Sequence, residues 1–477
     1  MSWAQTTPGH WQRQLGENER MIKWIGDQAH SADKEQWSIH ATGTFVVSAT
    51  TGGGVLTGES NELWQRMRRA WMCLRFQHPG MASTADQEGQ MLYYNVPSDS
   101  ETLEAWADES LHRLSMSPPT AIADLVASLG HAPYTIGYFI PDSGQFLLHT
   151  SHWRTDGYGV LQLLAAFFEA VAADDPDDPK TLAWGEEPSR LAPSIEEVLE
   201  LPKEPTNEIR RAAALCLASG RHVLGSIGLP FRQNSRSTSG STRSLRRSLP
   251  QTVTNRIMVA CEDHGIGLQA AVHASLAVAN FYGGGLAGNT GAQKHYTSNI
   301  RFSLRPYLKP PFNSARYAAA LYTGSYMAKV DALTGWKDAA AYYDHLYREG
   351  LNTEFLLARR QFAIQALGMM QAAAARSGGE AAPLVRSEID ISSVGDAEVL
   401  IAPVIEGRGR RVLKIEVLDI SLGLECQTQE TYLFVWVFKG KLELNLVYNE
   451  GFYTADFMGE MLDIVVSTLQ KELHASE

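Results

Sequence analysis

The nine residues Ser-His-Trp-Arg-Thr-Asp-Gly-Tyr-Gly, 151–159, constrain this chain more than any other stretch, because they set an imidazole and a carboxylate four residues apart where a strand gives way to a helix. Upstream, YTIGYFI (134–140) and QFLLHTS (145–151) flank the turn residues Asp142, Ser143 and Gly144, and their β-branched and aromatic content predicts a β-hairpin. Downstream, Asp156-Gly157 supplies a turn, and Tyr158 to Ala172 carries apolar residues on a helical period. His152 therefore leaves the end of a strand in a loop held at both ends, with Asp156 close enough to fix the loop's conformation. His149, three residues earlier, falls on the opposite face of the strand from His152 and reads as packed.

A chain of 477 residues with 44% hydrophobic and 20% charged residues is long enough for two cores of ordinary size, so two lobes are expected. The formal charge of −12 argues against nucleic acid or an anionic membrane as partner, since both need a basic contact face. Cys73, Cys216, Cys261 and Cys426 are scattered without metal-ligand spacing, so neither a bound metal nor a disulfide framework is expected. The N-terminus lacks the apolar core of a signal peptide, and no run approaches the length that spans a bilayer. A reduced, cytoplasmic protein is the expectation.

Residues 1–199 read as one α/β lobe, with a strand over 37–49, a helix over 61–76 and a helix over 98–114 opened by Ser98 with Glu101 three residues on. The segment RQNSRSTSGSTRSLRR (232–247) is so poor in apolar residues that it reads as flexible, and 200–247 is expected to be a crossover linker. The second lobe, 248–477, opens with helices over 249–265 and 268–284. Strand signals follow at 295–304, 387–395 and 411–421, then a hairpin over 432–449 about Lys439-Gly440-Lys441. Residues 338–374 read as mostly helical, 370–382 ends as a small-residue loop, and 456–474 makes a closing helix. The glycine cluster 283–288 lacks the Lys-Ser/Thr of a P-loop and reads as a loop, and no G-x-S-x-G elbow occurs.

His152, Asp156 and Gly157 in their strand-to-helix setting resemble the H-x-x-x-D-G signature of the CoA-dependent acyltransferase superfamily, which includes condensation domains, chloramphenicol acetyltransferase and fungal trichothecene O-acetyltransferases. The resemblance implies an α/β fold of two chloramphenicol-acetyltransferase-like lobes, each a mixed sheet with helices, meeting at a tunnel with His152 near its centre. It implies His152 as the general base, a task that suits an imidazole at neutral pH. Asp156 either orients His152 directly or holds the loop through an ion pair. The resemblance favours the ion pair, with Arg75 in CLRF (73–76) matching the position of the partner arginine, while Gly157 serves the backbone of the turn. Ser392-Ser393-Val394-Gly395 resembles the S-N-V-G-type turn of the second lobe, with serine where asparagine would stand, so its hydroxyls either help to stabilise the tetrahedral oxyanion or form a polar strand end, and Asn299 and Arg301 resemble the second lobe's structural N-x-R strand.

The DFGWG motif of other branches is missing, which moves the chain toward condensation-like and trichothecene 15-O-acetyltransferase-like proteins. The implied reaction is transfer of an acetyl group from acetyl-CoA, a co-substrate and not a bound cofactor, to a hydroxyl of a fungal-type secondary metabolite, by a monomer. Two alternatives stand beside it. One is a condensation-like enzyme that uses a carrier-protein thioester or cyclises its substrate; the other is a catalytically silent binding or scaffold protein of the same fold.

Overall fold

The computed structural model describes residues 2–49, 55–56, 60–115, 121–173, 178–232, 239–285, 294–376, 386–407 and 413–475. The expected hairpin forms as strands Ile136–Ile140 and Gln145–Thr150, and it lies in a mixed sheet. Across that sheet the order runs Val404–Glu406, Leu413–Leu424, Ile39–Ala49, Gln145–Thr150, Ile136–Ile140, Leu111–Arg113, with Val55–Leu56 beside Ile39–Ala49. Helices Asn61–Gln77 and Gly157–Ala172 cover one face, and Trp71, Phe146, Phe167 and Phe168 interlock there as fully buried rings. Burying each such ring stabilises the fold by roughly 1.5–3 kcal/mol.

A second mixed sheet has the order Thr242–Leu249, Lys441–Asn449, Thr431–Phe438, Ile389–Asp396. Helices Gln251–Asp263, Leu268–Gly283, Trp336–Glu349 and Ala455–Glu472 enclose its core. The strands His295–Ser303 and Thr323–Asp331 pair beside it, and a small sheet built on Ala4–Thr7 and His10–Gln14 pairs with Met91–Asn95. The architecture is the expected α/β one, with a mixed sheet and packed helices in each half.

Four local expectations need correction. Residues 242–247, expected to be flexible, form most of a strand paired along its whole length with Lys441–Asn449. Its arginines are satisfied by carboxylates: Arg243 bonds Glu450, Arg246 bonds Asp419 and Glu443, and Arg247 bonds Asp463. A helix, Asn207–Ser219, occupies part of the expected linker, and residues 233–238 lie outside the described residues. Second, Leu413–Leu424 pairs with Ile39–Ala49, so a strand from the 248–477 stretch completes the sheet of the 1–199 stretch. Alternation in LKIEVLDISLGL identifies a strand but carries no information about its partner. Third, the helix expected over 98–114 spans Ser100–Ser110, and its cap is Asp99, whose carboxylate accepts from the Thr102 amide. Fourth, the 338–374 stretch is mostly helical as expected, as Trp336–Glu349 and Thr353–Arg376 parted at Gly350 with φ of 63°, but it runs on into the expected loop. That second helix takes in 370–376 of the expected loop; 377–382 of it, and 286–288 of the glycine cluster, lie outside the described residues.

No disulfide joins the four cysteines. Among the described residues no helix is long and apolar enough to cross a membrane, and no group of three His, Cys, Asp or Glu side chains is placed to hold a metal ion.

Candidate active site

The loop 151–156 is built so that one side chain is left available. Thr150, Ser151, Trp153, Arg154, Thr155 and Asp156 are all buried, and His152 alone among them is partly exposed. Each buried neighbour is tied down. Ser151 Oγ donates to Glu35 at 2.8 Å. Arg154 donates to Thr150 Oγ1 at 2.9 Å and to the carbonyls of Ser83 at 2.9 Å and Pro133 at 2.8 Å, while its guanidinium lies over the Trp153 ring at 4.3 Å. Burial pushes the Arg154 guanidinium down to about 10, so it stays charged at neutral pH. Thr155 Oγ1 donates to the Ala318 carbonyl at 2.7 Å.

His152 Nδ1 lies 2.8 Å from the Thr155 carbonyl oxygen. A carbonyl only accepts, so Nδ1 carries the proton and Nε2 carries the lone pair. A neutral imidazole with Nε2 as its basic atom is the form a general base requires. The loop thus sets the tautomer as well as the position.

Asp156 does not touch the imidazole through any hydrogen bond; it holds the loop. Its carboxylate caps the helix Gly157–Ala172 by accepting from the Gly159 amide at 2.9 Å, and it accepts from the Tyr322 amide at 2.9 Å. Both of its oxygens lie 2.8 Å from Arg305 Nη1, with each side chain only 5% exposed. The structural reading of Asp156 is therefore the one the geometry supports, but its partner is Arg305 and not Arg75. Arg75 sits elsewhere, donating to the Asn95 carbonyl at 2.9 Å with its guanidinium 4.7 Å from the Trp106 ring. Nothing in the sequence near the motif points to an arginine 149 positions downstream.

Gly157 is also corrected in its role. It is the first residue of the helix, with no left-handed φ, and a Cβ there would meet only Val394 at 3.7 Å. The constrained glycine is Gly159: a Cβ would lie 2.2 Å from both the Ala318 carbonyl oxygen and Thr155 Oγ1. That second glycine of the motif carried a signal that could have been read.

Val394 brings the two sequence motifs together, since its side chain faces Gly157 at the start of the motif helix. It is the extra residue of a bulge between Ser393 and Gly395 on Ile389–Asp396, with Gly395 at a φ of 70°. Ser392 and Ser393 are both half-buried, and Ser393 Oγ accepts from the Gly395 amide at 3.2 Å. Asn299 and Arg301 anchor this strand by bonding Asp390 at 2.7 and 2.8 Å. Burial works against ionisation of Asp390, yet the Arg301 and Arg386 guanidiniums hold its carboxyl well below the usual carboxylate range. His149 is buried, and desolvation pushes it down to about 3, which removes it as a base at neutral pH.

No family model matches the chain. Acetyltransferase pigO of Monascus ruber is 41% identical over 473 residues, 99% of this chain and 98% of that protein. O-acetyltransferase pigM of the same organism is 26% identical over 479 residues, 99% of this chain and 87% of that protein. Among solved structures, the TRI3 trichothecene 15-O-acetyltransferase of Fusarium sporotrichioides superposes with a TM-score of 0.81 at 17% identity, covering 100% of this chain and 98% of its own. The last likeness establishes the fold. With a relative so similar over its full length, the chain belongs to the family of fungal secondary-metabolite acetyltransferases and is an acyltransferase.

Proposed function

We propose that the protein transfers an acetyl group from acetyl-CoA to a hydroxyl of a secondary metabolite, with His152 Nε2 as general base and the two reactants meeting at a tunnel between the lobes. The observation that carries this reading is the tautomer of His152, whose Nδ1–H is committed to Thr155 so that Nε2 is left to take a proton. Nε2 removes the acceptor's hydroxyl proton as the oxygen attacks the thioester carbonyl carbon. The tetrahedral oxyanion that forms would accept from the hydroxyls of Ser392 or Ser393. The carbon–sulfur bond then breaks, and the imidazolium returns its proton to the departing CoA sulfur. Such a base contributes about 10²–10⁴-fold. A hydroxyl acceptor is supported by the naming of the pigM relative as an O-acetyltransferase.

A reducing, cytoplasmic setting and a monomeric enzyme complete the proposal. The test is to incubate the pure protein with acetyl-CoA and hydroxylated fungal metabolites, following CoA release and the mass gain of one acetyl group. Transfer that occurs only from a carrier-protein thioester, isomerisation with no donor, or binding without turnover would each overturn the acetyl-CoA assignment.

A further inference from the structure

Three consecutive residues, Glu35, Gln36 and Trp37, lie between the helix Glu17–Asp27 and the strand Ile39–Ala49. The first reaches the His152 loop, and the other two reach the segment that leads into the second sheet. We propose that these residues form a yoke that fixes His152 relative to Ser392 and Ser393, with Glu35 and Trp37 as positioning residues for acetyl transfer. The inference rests on the acetyl-transfer reading and names the residues that keep its base and its oxyanion hydroxyls in register.

At one end of the yoke, Ser151 opens the turn that carries His152. Its carbonyl accepts from the Arg154 amide at 3.1 Å, so His152 is the second residue of that turn. The Ser151 hydroxyl donates to Glu35 at 2.8 Å. Glu35 is buried against the backbone of Gly26, where a Cβ would lie 3.0 Å from Cγ and 3.1 Å from Oε1. Burial pushes the Glu35 carboxyl up, while the Ser151 hydroxyl and the nearby Arg154 charge pull it down. The glutamate therefore meets the turn at its first residue through a hydrogen bond and at its fourth through charge.

At the other end, Gln36 Nε2 and Trp37 Nε1 each donate to Glu430 Oε2 at 3.2 Å. Gln36 Oε1 accepts from the Gln427 amide at 2.6 Å, and the Trp37 amide donates to the Glu425 carbonyl at 2.9 Å. Residues 425–430 carry the chain out of Leu413–Leu424 in the first sheet and into Thr431–Phe438 in the second. Thr431–Phe438 pairs in parallel with Ile389–Asp396, which sets Ser392 opposite Phe434 and Ser393 opposite Val435. A displacement of 425–430 is therefore passed to the strand that carries both serines.

Backbone strain marks the joint. Trp37 has a φ of 67°, a left-handed conformation that a bulky residue holds only where its surroundings enforce it. They do so here through the amide bond to Glu425, the indole N–H bond to Glu430 and the edge-on packing of the indole on the Tyr432 ring at 6.4 Å. The next residue closes the joint, since the Ser38 carbonyl accepts from the Glu425 amide at 2.8 Å. A segment that only linked a helix to a strand has no need of such strain.

Nitrogen magnetic resonance of protein labelled in its histidine rings tests the yoke without donor or acceptor, the His152 signals being those lost in His152→Ala. In the unaltered protein they are expected to show a proton on Nδ1 and none on Nε2. Ser151→Ala and Trp37→Phe each remove one bond and leave every buried charge in place. In each, checked for a native thermal melt, the two nitrogen signals are expected to move toward a common average as the ring exchanges tautomers. A parental His152 spectrum in every folded variant would overturn the proposal. With acetyl-CoA and an acceptor, kcat is expected to fall about 10–100-fold in each variant, the scale of a small misplacement of the base. The KM for acetyl-CoA is expected to stay within about twofold, and the double variant to be no worse than the more damaged single one, because both bonds serve one unit. A raised KM with parental kcat, or losses that multiply, would also overturn it. Absence of CoA release by the unaltered enzyme with every acceptor would overturn the acetyl-transfer reading alone, and the nitrogen spectra would still decide the yoke.

Discussion

Two histidine sites in this molecule use the same side chain in opposite ways. His152 is partly exposed, with Nδ1 tied to a carbonyl and no hydrogen bond to Nε2 among the described residues. His273, in the second core, is fully buried: Nδ1 meets Tyr347 OH at 2.9 Å, Nε2 meets Ser298 Oγ at 2.7 Å, and the ring stacks on Tyr343 at 3.7 Å. Burial pushes His273 down to about 3. The difference teaches that a histidine can serve as a base only where its surroundings leave one nitrogen unbonded, and becomes a structural element when both nitrogens are spent.

The sharpest way to break this contrast is His152→Ala. Turnover is expected to fall about 10²–10⁴-fold with a nearly unchanged melting temperature, because a base is lost and no core is opened. Steady-state CoA release and a thermal melt on the same preparation decide it; wild-type turnover would remove His152 from the mechanism.

Next in size is the brace behind the loop. Asp156→Ala, or Arg305→Ala, is expected to cost about 3–5 kcal/mol of stability as well as activity, since each leaves the other charge buried without its partner. Arg75→Ala is the control, and denaturant unfolding should show that it leaves the Asp156 brace intact. An Asp156→Ala protein that melts like the parent yet is inactive would mean the carboxylate acts on the chemistry directly.

His273→Phe probes the other side of the comparison. It strands Tyr347 and Ser298 and is expected to cost about 1–3 kcal/mol while leaving turnover per folded molecule intact. A loss of turnover without a loss of stability would show that the buried histidine is no mere structural element.

The comparison also predicts a dependence of stability on pH. Burial pushes His149 and His273 down to about 3 and His40 and His78 down to about 4, from 6.5. The unfolded chain takes up protons at these sites below about pH 6.5 while the folded chain does not, so their contribution is intact above that value and lost as pH falls toward 4. Each histidine adds a slope of at most about 1.4 kcal/mol per pH unit. Chemical unfolding from pH 7.5 to 4.5 measures it, and the slope should be shallower in His273→Phe.

How much of this was legible in the sequence follows range and periodicity. The hairpin before His152, the helix after it and the second-lobe helices were readable because each depends on neighbours within a few residues. The type I′-like turn at Lys439-Gly440, with φ of 50° and 69°, is equally local. The Arg305 partner, the Val394 contact and the pairing of Leu413–Leu424 with Ile39–Ala49 are long-range, and a single sequence does not state which distant residues meet. The arginine-rich strand Thr242–Leu249 was missed for a different reason. Its stability comes from carboxylates on other elements, and composition counted its arginines only as solvated charge.

The pairing of Leu413–Leu424 with Ile39–Ala49 also sets a schedule for synthesis. Ile39–Ala49 leaves the ribosome early and gains Gln145–Thr150 on one side soon afterwards, but its other partner is made roughly 360 residues after it. At about 5–20 residues per second that interval is roughly 20–70 s, during which one edge of a largely apolar strand stands open. An open edge is a template for pairing with another chain. Overproduction at high temperature should therefore yield aggregates seeded by this strand, and a chaperone that shields it should raise the yield of folded enzyme.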